Sequence, residues 1–100
     1  MAIGPQIVPV IPATSQSALN ITSATVIKAS RGVVGAVSVV VAGSGAGSIN
    51  DCKTTGAAAA ANKIATIPDT AAVVLTLNFP ARVGICVTPG TGQTLSVSFA

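Results

Sequence analysis

Apolar and polar residues alternate along most of the chain after residue 16, and this period of two is typical of β-strands. Short runs rich in Val, Ile and Thr are separated by Gly and Pro, which favour turns. The pattern predicts about seven to eight short strands. The segments with the clearest strand character are Ile21–Ala29, Val33–Val41, Ser48–Lys53, Lys63–Ile67, Val73–Phe79, Val83–Thr88 and Thr94–Phe99.

Several of these segments carry a more specific expectation. Val33–Val41 has apolar residues on both faces, so we expect both faces to be buried. In Val73–Phe79 the alternate apolar residues share one face, and Pro80 is expected to end the strand because proline cannot donate to a ladder. The last two segments are joined through the Pro-Gly centre of a type II turn at Thr88–Thr91, which predicts a closing hairpin.

The five consecutive alanines at 57–61 interrupt the strand pattern. Alanine favours helix, yet Gly56 and Pro68 limit how far a helix could extend. Two alternatives therefore stay open for this segment, a single helical turn or a compact loop.

The first sixteen residues follow a different pattern, since prolines recur among apolar residues and favour an extended, polyproline-like path. We expect an N-terminal arm at residues 1–16 that lies against its own domain, a neighbouring copy or a larger partner. The candidate partner-binding residues are Ile3, Pro5, Ile7, Val8, Pro9, Val10, Ile11 and Pro12.

Many short strands with Gly and Pro between them, and no long helical period, predict an all-β fold. We expect residues 17–100 to form a single β-sandwich or jelly-roll-like domain. A core for this domain has to be built from small side chains, because Phe79 and Phe99 are the only aromatic residues.

Charged residues make up only 7% of the chain, where soluble domains average about 25%. This shortage predicts that other protein covers much of the surface. The alternative is a monomer coated with Ser and Thr. The net charge is +3, but the five cations are spread along the sequence, so we expect no basic patch and no nucleic-acid binding.

Few side chains could carry chemistry. With no His and only Asp51 and Asp69, we expect no enzymatic activity, no metal, no cofactor and no small-molecule substrate. Asp69 follows proline as turn residues often do, and Asp51 is expected at a strand end, bonded to backbone or paired with a cation. Cys52 and Cys86 are expected to be buried thiols, with a disulfide as the alternative.

Neither a signal peptide nor a membrane span is expected. The N-terminal segment lacks a positive start and a continuous apolar stretch, and Gly32–Ala42 is too short to cross a bilayer. We therefore expect the chain to be made in the cytoplasm.

Several turns and strand edges resemble those of small tailed-phage and prophage virion proteins, and are most similar to capsid decoration (cement) proteins. The likeness covers about residues 18–99. The segments that carry it are Ser48–Asp51, the alanine-rich segment into Asn62–Ala65, Ile67–Pro68, Phe79–Pro80, Gly84–Val87 and Pro89–Gln93.

The resemblance implies a non-enzymatic virion protein on the outer capsid surface, made in the cytoplasm of a bacterial host. Its partner would be the major capsid protein, whose neighbouring subunits it would bridge, and it would form a dimer or trimer. The arm would then lie over an adjacent subunit. The alternative is a receptor- or glycan-binding module at the tip of a phage head or tail fibre.

Overall fold

The computed structural model describes residues 16–100, and within that range the chain forms eight strands and two short 3-10 turns. The predicted all-β fold is confirmed. The strands are β1 (Gln16–Ile21), β2 (Thr25–Lys28), β3 (Gly32–Val41), β4 (Gly47–Asn50), β5 (Lys63–Ile67), β6 (Val74–Ala81), β7 (Ile85–Thr88) and β8 (Thr94–Phe99).

The eight strands form two antiparallel sheets of four strands each. The first sheet has the order β1-β8-β3-β6 and the second has the order β2-β7-β4-β5. Six of the seven connections between described strands pass from one sheet to the other, and only the β4–β5 connection stays within a sheet. This is a jelly-roll arrangement, so the predicted sandwich is confirmed.

The core between the sheets consists mainly of aliphatic side chains, with Phe99 as its one aromatic member. Burying each Val, Leu or Ile contributes about 1.5–3 kcal/mol, so many small contributions replace a few large ones. The buried members of this core are Ile21, Val34, Val37, Val39, Ile49, Ile67, Ala81, Ile85, Val87, Leu95, Val97 and Phe99.

The predicted strand Ile21–Ala29 is wrong, because the chain crosses between the sheets within it. Ile21 ends β1 in the first sheet, and β2 begins at Thr25 in the second. An irregularity in the β1–β8 pairing precedes the crossing, and Asn20 there has a φ of 55°. Such irregularities bend a strand and redirect the chain.

The expectation that β3 is buried on both faces is also wrong. Val34, Val37 and Val39 are buried in the core, whereas Val40 and Val41 are about half exposed. The register shifts between Val34 and Val37 in the pairing with β8, and a shift of this kind moves later side chains to the other face. The strand therefore buries only one face, and the alternation of buried and exposed side chains along it is interrupted at this register shift.

Pro80 does not end β6, which continues to Ala81, and Pro80 pairs with Val33. The strand tolerates proline because β6 is at the edge of the first sheet, where a missing N–H breaks no ladder bond on the open side. Phe79, predicted to face inward, is 45% exposed, and it follows Asn78, whose φ is 46°.

The two C-terminal strands exist but do not form a hairpin, because β7 is in the second sheet and β8 is in the first. The turn between them is Gly90–Gln93, two residues later than predicted. The Gln93 N–H donates to the Gly90 carbonyl at 3.0 Å, and Gly92 has a φ of 75° at the position where a type II turn requires it. In β8 the buried residues Leu95, Val97 and Phe99 alternate with partly exposed ones, as the period of two in the sequence predicts.

The alanine-rich segment forms a compact loop with two 3-10 turns, Thr55–Ala57 and Ala60–Asn62. Asn50, at the end of β4, is buried beneath it and donates from its amide to the Ala59 carbonyl at 2.9 Å and to Asn62 Oδ1 at 2.8 Å. These bonds hold the loop against the outer face of the second sheet. Strand β4 consequently ends at Asn50 rather than at the predicted Lys53.

Candidate interaction surfaces

All five cations of the chain lie at one end of the sandwich. At this end, called the basic end, every odd-numbered strand begins and every even-numbered strand finishes, as the pairings Gly32↔Ala81 and Asn50↔Lys63 show. The expectation of no basic patch is therefore wrong. The cations at the basic end are Lys28, Arg31, Lys53, Lys63 and Arg82.

The acidic residues are divided between the two ends. Asp51 is at the basic end, which leaves that end with a net side-chain charge of +4, and Asp69 is in the β5–β6 connection at the opposite end. Nearly all of the chain's charge is thus concentrated in a small part of its surface. The remaining surface is hydrated through Ser, Thr and Asn side chains.

Asp51 organises the backbone at the basic end. Its carboxylate accepts hydrogen bonds from the N–H groups of Arg82 (2.9 Å), Val83 (2.8 Å) and Gly84 (3.2 Å), as predicted for a carboxylate that bonds to backbone. Burial by itself would raise the pKa of Asp51, but these three bonds and the Arg82 charge outweigh it and lower the pKa. The carboxylate therefore stays ionised and holds the β6–β7 connection.

A groove of about 1110 Å³ opens at the basic end between the edge strands β5 and β6, and it is called the β5–β6 groove below. Its lining combines three of the five cations with apolar side chains, of which Phe79 and Val83 are 45% and 46% exposed. The lining residues that matter for binding are Arg31, Lys63, Arg82, Phe79, Pro80 and Val83.

The first sheet presents a second distinctive surface, because none of its four strands contains a charged residue. Its outward side chains alternate with the core residues and are small or hydroxylic, with large apolar members at Leu19 (70% exposed), Val74 (60%) and Val40 (53%). This surface, called the uncharged face, consists of Ser17, Leu19, Ala36, Ser38, Val40, Val74, Thr76, Thr94, Ser96 and Ser98.

The outer face of the second sheet is different. Its strands include Lys28 and Lys63, and the alanine-rich loop covers part of it. Cys86, which points outward between the core residues Ile85 and Val87, is completely buried there. Among residues 16–100, the chain therefore covers part of the outer face of the second sheet and leaves that of the first sheet uncovered.

Both cysteines are buried and free, as predicted, and the Cys86 thiol donates to the Cys52 carbonyl oxygen at 3.2 Å. Burial and the neighbouring Cys52 thiol raise the pKa of Cys86, which disfavours the nucleophilic thiolate. Within residues 16–100, no three His, Cys, Asp or Glu side chains come together as metal ligands. No helix in that range is long and apolar enough to cross a membrane.

No protein-family model, curated protein or solved structure matches this chain. Surface properties of the described residues are therefore the basis for a functional hypothesis.

The candidate arm residues Ile3, Pro5, Ile7, Val8, Pro9, Val10, Ile11 and Pro12 lie outside the described residues. Gln16, which was predicted to close the arm, is the first residue of β1 and is paired with Phe99 at the basic end. The chain therefore enters the sandwich at the same end as the cations.

Proposed function

We propose that this protein is a non-enzymatic virion structural protein that decorates a tailed-phage capsid and stabilises it by bridging neighbouring capsid subunits. The observation that carries the proposal is the uncharged face. An exposed four-stranded sheet usually has charged side chains that keep it soluble and prevent association. Here that face has none, which favours a surface that is covered in an assembly.

The size of the uncharged face limits how it could bind. The four strands have 6, 10, 8 and 6 residues, and with a rise of about 3.4 Å per residue and a spacing of about 4.8 Å they cover roughly 500 Å². A stable interface needs about 800 Å² per partner, so this face alone supports only weak binding by a single copy. A protein that binds a shell in many copies, through more than one contact each, does not need tight binding at each contact.

The fold is compatible with the proposal without deciding it. Jelly rolls occur in viral capsid proteins, and also in lectins and cupins, so a function has to be argued from the surface. The partner we propose is the major capsid protein on the outer surface of the head. The protein itself would be a dimer or trimer, and the N-terminal arm would provide a further contact.

The absence of enzymatic activity is part of the proposal. General acid–base catalysis needs titratable groups that converge on a substrate. Asp51 already accepts three backbone hydrogen bonds, and Asp69 lies at the opposite end of the sandwich.

A glycan- or receptor-binding module is the second candidate, because lectins share this fold class. Sugar binding commonly uses the flat face of an exposed aromatic ring. Phe99 is buried in the core, and Phe79 lies in the β5–β6 groove, so the uncharged face has no such ring. Binding of the purified protein to a glycan array would favour this candidate over decoration.

The proposal is tested in particles of the phage or prophage that encodes the chain. Mass spectrometry should detect the chain in many copies per particle, and imaging should locate it on the outer surface of the head. Particles stripped of the chain should open at a lower temperature, and adding the purified protein should restore their stability. Deletion of residues 1–15, which leaves β1 intact, should sharply reduce retention. Purified particles that contain no copies of the chain would contradict the proposal.

A further inference from the structure

We propose that the β5–β6 groove binds an acidic, partly apolar segment of a partner protein. This inference rests on the proposed function for the partner's identity, since the segment would belong to a capsid subunit. The chemistry of the groove alone defines the segment: carboxylates for its cations and a few apolar side chains for its walls.

The cations of the groove are arranged to meet carboxylates. Arg31, Lys63 and Arg82 come from three different connections or strand ends, and all three are exposed. Arginine presents a planar fork that matches a carboxylate bidentately, and it is favoured for ion pairs at interfaces. Asp51, the acidic residue of the groove, is occupied by backbone N–H groups and offsets only one of the three charges.

Apolar side chains distinguish this groove from a simple patch of positive charge. Phe79 and Val83 remain nearly half exposed beside the cations, and Pro80 lies between Phe79 and the buried Ala81. A ligand that carries both carboxylates and apolar side chains would bury this surface while it neutralises the charge. The groove, of about 1110 Å³, is open to solvent rather than enclosed, which suits an extended peptide segment better than a small molecule that must be enclosed on most sides.

Two other occupants fit the groove less well. The chain's own N-terminal segment, residues 1–15, contains no Asp or Glu and so offers no side-chain carboxylate to the cations. Single-stranded nucleic acid usually binds along a row of cations with several stacking aromatics, and this groove has only Phe79.

The test measures binding of the full-length purified protein to a fluorescein-labelled peptide of mixed Asp, Glu and Leu by fluorescence anisotropy. A peptide with Asn and Gln in place of the acids serves as the ligand control. Lys63→Gln is compared with Lys53→Gln, because both are exposed lysines at the basic end and only Lys63 lines the groove. Circular dichroism checks that each variant is folded.

We expect the acidic peptide to bind at low salt, to bind more weakly as salt screens the charges, and to bind better than its amide control. Lys63→Gln should weaken binding by about two- to fivefold and Arg31→Gln with Lys63→Gln by about tenfold, whereas Lys53→Gln should change it by less than about twofold.

Equal losses in Lys53→Gln and Lys63→Gln, equal binding of the amide peptide, or no binding of the acidic peptide at low salt would overturn the assignment. Tighter binding of a single-stranded oligonucleotide than of the acidic peptide would also overturn it. Because no particle enters the assay, such a result leaves the decoration proposal standing. Particles that lack the chain would contradict the decoration proposal, but they would leave the result of the peptide-binding assay unchanged.

Discussion

Asp51 shows how a single ionised residue can fix a connection between two sheets. Its carboxylate accepts three successive backbone N–H groups of the β6–β7 connection, which follows the edge strand of the first sheet. Hydrogen bonds to a charged acceptor are stronger than neutral ones. The same bonds lower the pKa of Asp51 in the folded state, and so they link stability to pH.

Asp51→Asn is expected to lower the free energy of unfolding by about 1–3 kcal/mol at neutral pH, because the amide cannot replace a charged acceptor for three donors. Since folding lowers the pKa, the stabilisation is present above the ordinary value of 3.8 and is lost as pH falls through the folded-state pKa. Urea unfolding at several pH values should therefore show the wild type and the variant converging in acid.

Asp69→Asn is the matched control, because it removes an exposed carboxylate from the opposite end. It should change the free energy of unfolding by less than about 0.5 kcal/mol. A gap between Asp51→Asn and wild type that stays constant into strong acid would contradict the role assigned to the carboxylate.

Ala72 has a φ of 66°, a left-handed conformation that costs an L-residue about 1–2 kcal/mol. Ala72→Gly should relieve this cost, keep the 3.0 Å bond to the Val39 carbonyl and raise the free energy of unfolding by about 0.5–1 kcal/mol. Thermal unfolding measures the change. Ala58→Gly, at a φ of −63°, should instead destabilise by about 0.4–1 kcal/mol. Destabilisation by both variants would show that Ala72 is not strained.

At the scale of elements, Gln93 joins two connections at the end of the sandwich opposite the cations. Its buried amide accepts from the Gly90 N–H at 3.0 Å and donates to the Pro68 carbonyl at 2.9 Å. Gly47 passes so close that a Cβ there would lie 2.5 Å from Gln93 Oε1. Two connections and the first residue of β4 therefore pack around one side chain.

Gln93→Leu is expected to lower the free energy of unfolding by about 1–3 kcal/mol, because it leaves the partly buried Gly90 N–H and Pro68 carbonyl without their partner. Chemical denaturation followed by circular dichroism measures the loss. Gln16→Leu, at the exposed first residue of β1, should shift stability by less than about 0.5 kcal/mol. Similar stabilities for the two variants would argue against the packing role of the Gln93 amide.

The sequence allowed the existence of most strands to be predicted, but not their partners. Alternation in Thr94–Phe99 and the extent of Lys63–Ile67 were predictable because the core contacts every second residue. Whether a Pro-Gly connection joins two strands as a hairpin or carries the chain to the other sheet depends on distant residues. The irregularities that reverse the alternation in β3 likewise depend on pairing with β6 and β8.

The basic end was missed at the scale of the whole molecule, although its signal is in the sequence. Cations at 28, 31, 53, 63 and 82 are far apart along the chain and look dispersed. Each lies near the end of an even-numbered strand or the start of the next, and antiparallel strands bring all such positions to one end. The correct order of strands is therefore needed before the charge pattern can be interpreted.

Concentration of charge at one end leaves the uncharged face without ionised side chains, and this contrast is the basis of the proposed function. Thr76 and Thr66 offer a matched comparison, since both are exposed threonines on strands, one on the uncharged face and the other on the outer face of the second sheet. A glutamate at either position adds one negative charge to a solvent-exposed strand.

The most direct measurement is the number of copies retained per particle for Thr76→Glu and Thr66→Glu, each added to particles stripped of the wild-type chain. Burying an unpaired carboxylate in an interface is costly, so Thr76→Glu should reduce occupancy by about tenfold or more, while Thr66→Glu should match the wild type. Equal occupancy for both variants, with both folded, would contradict the claim that the uncharged face binds the shell.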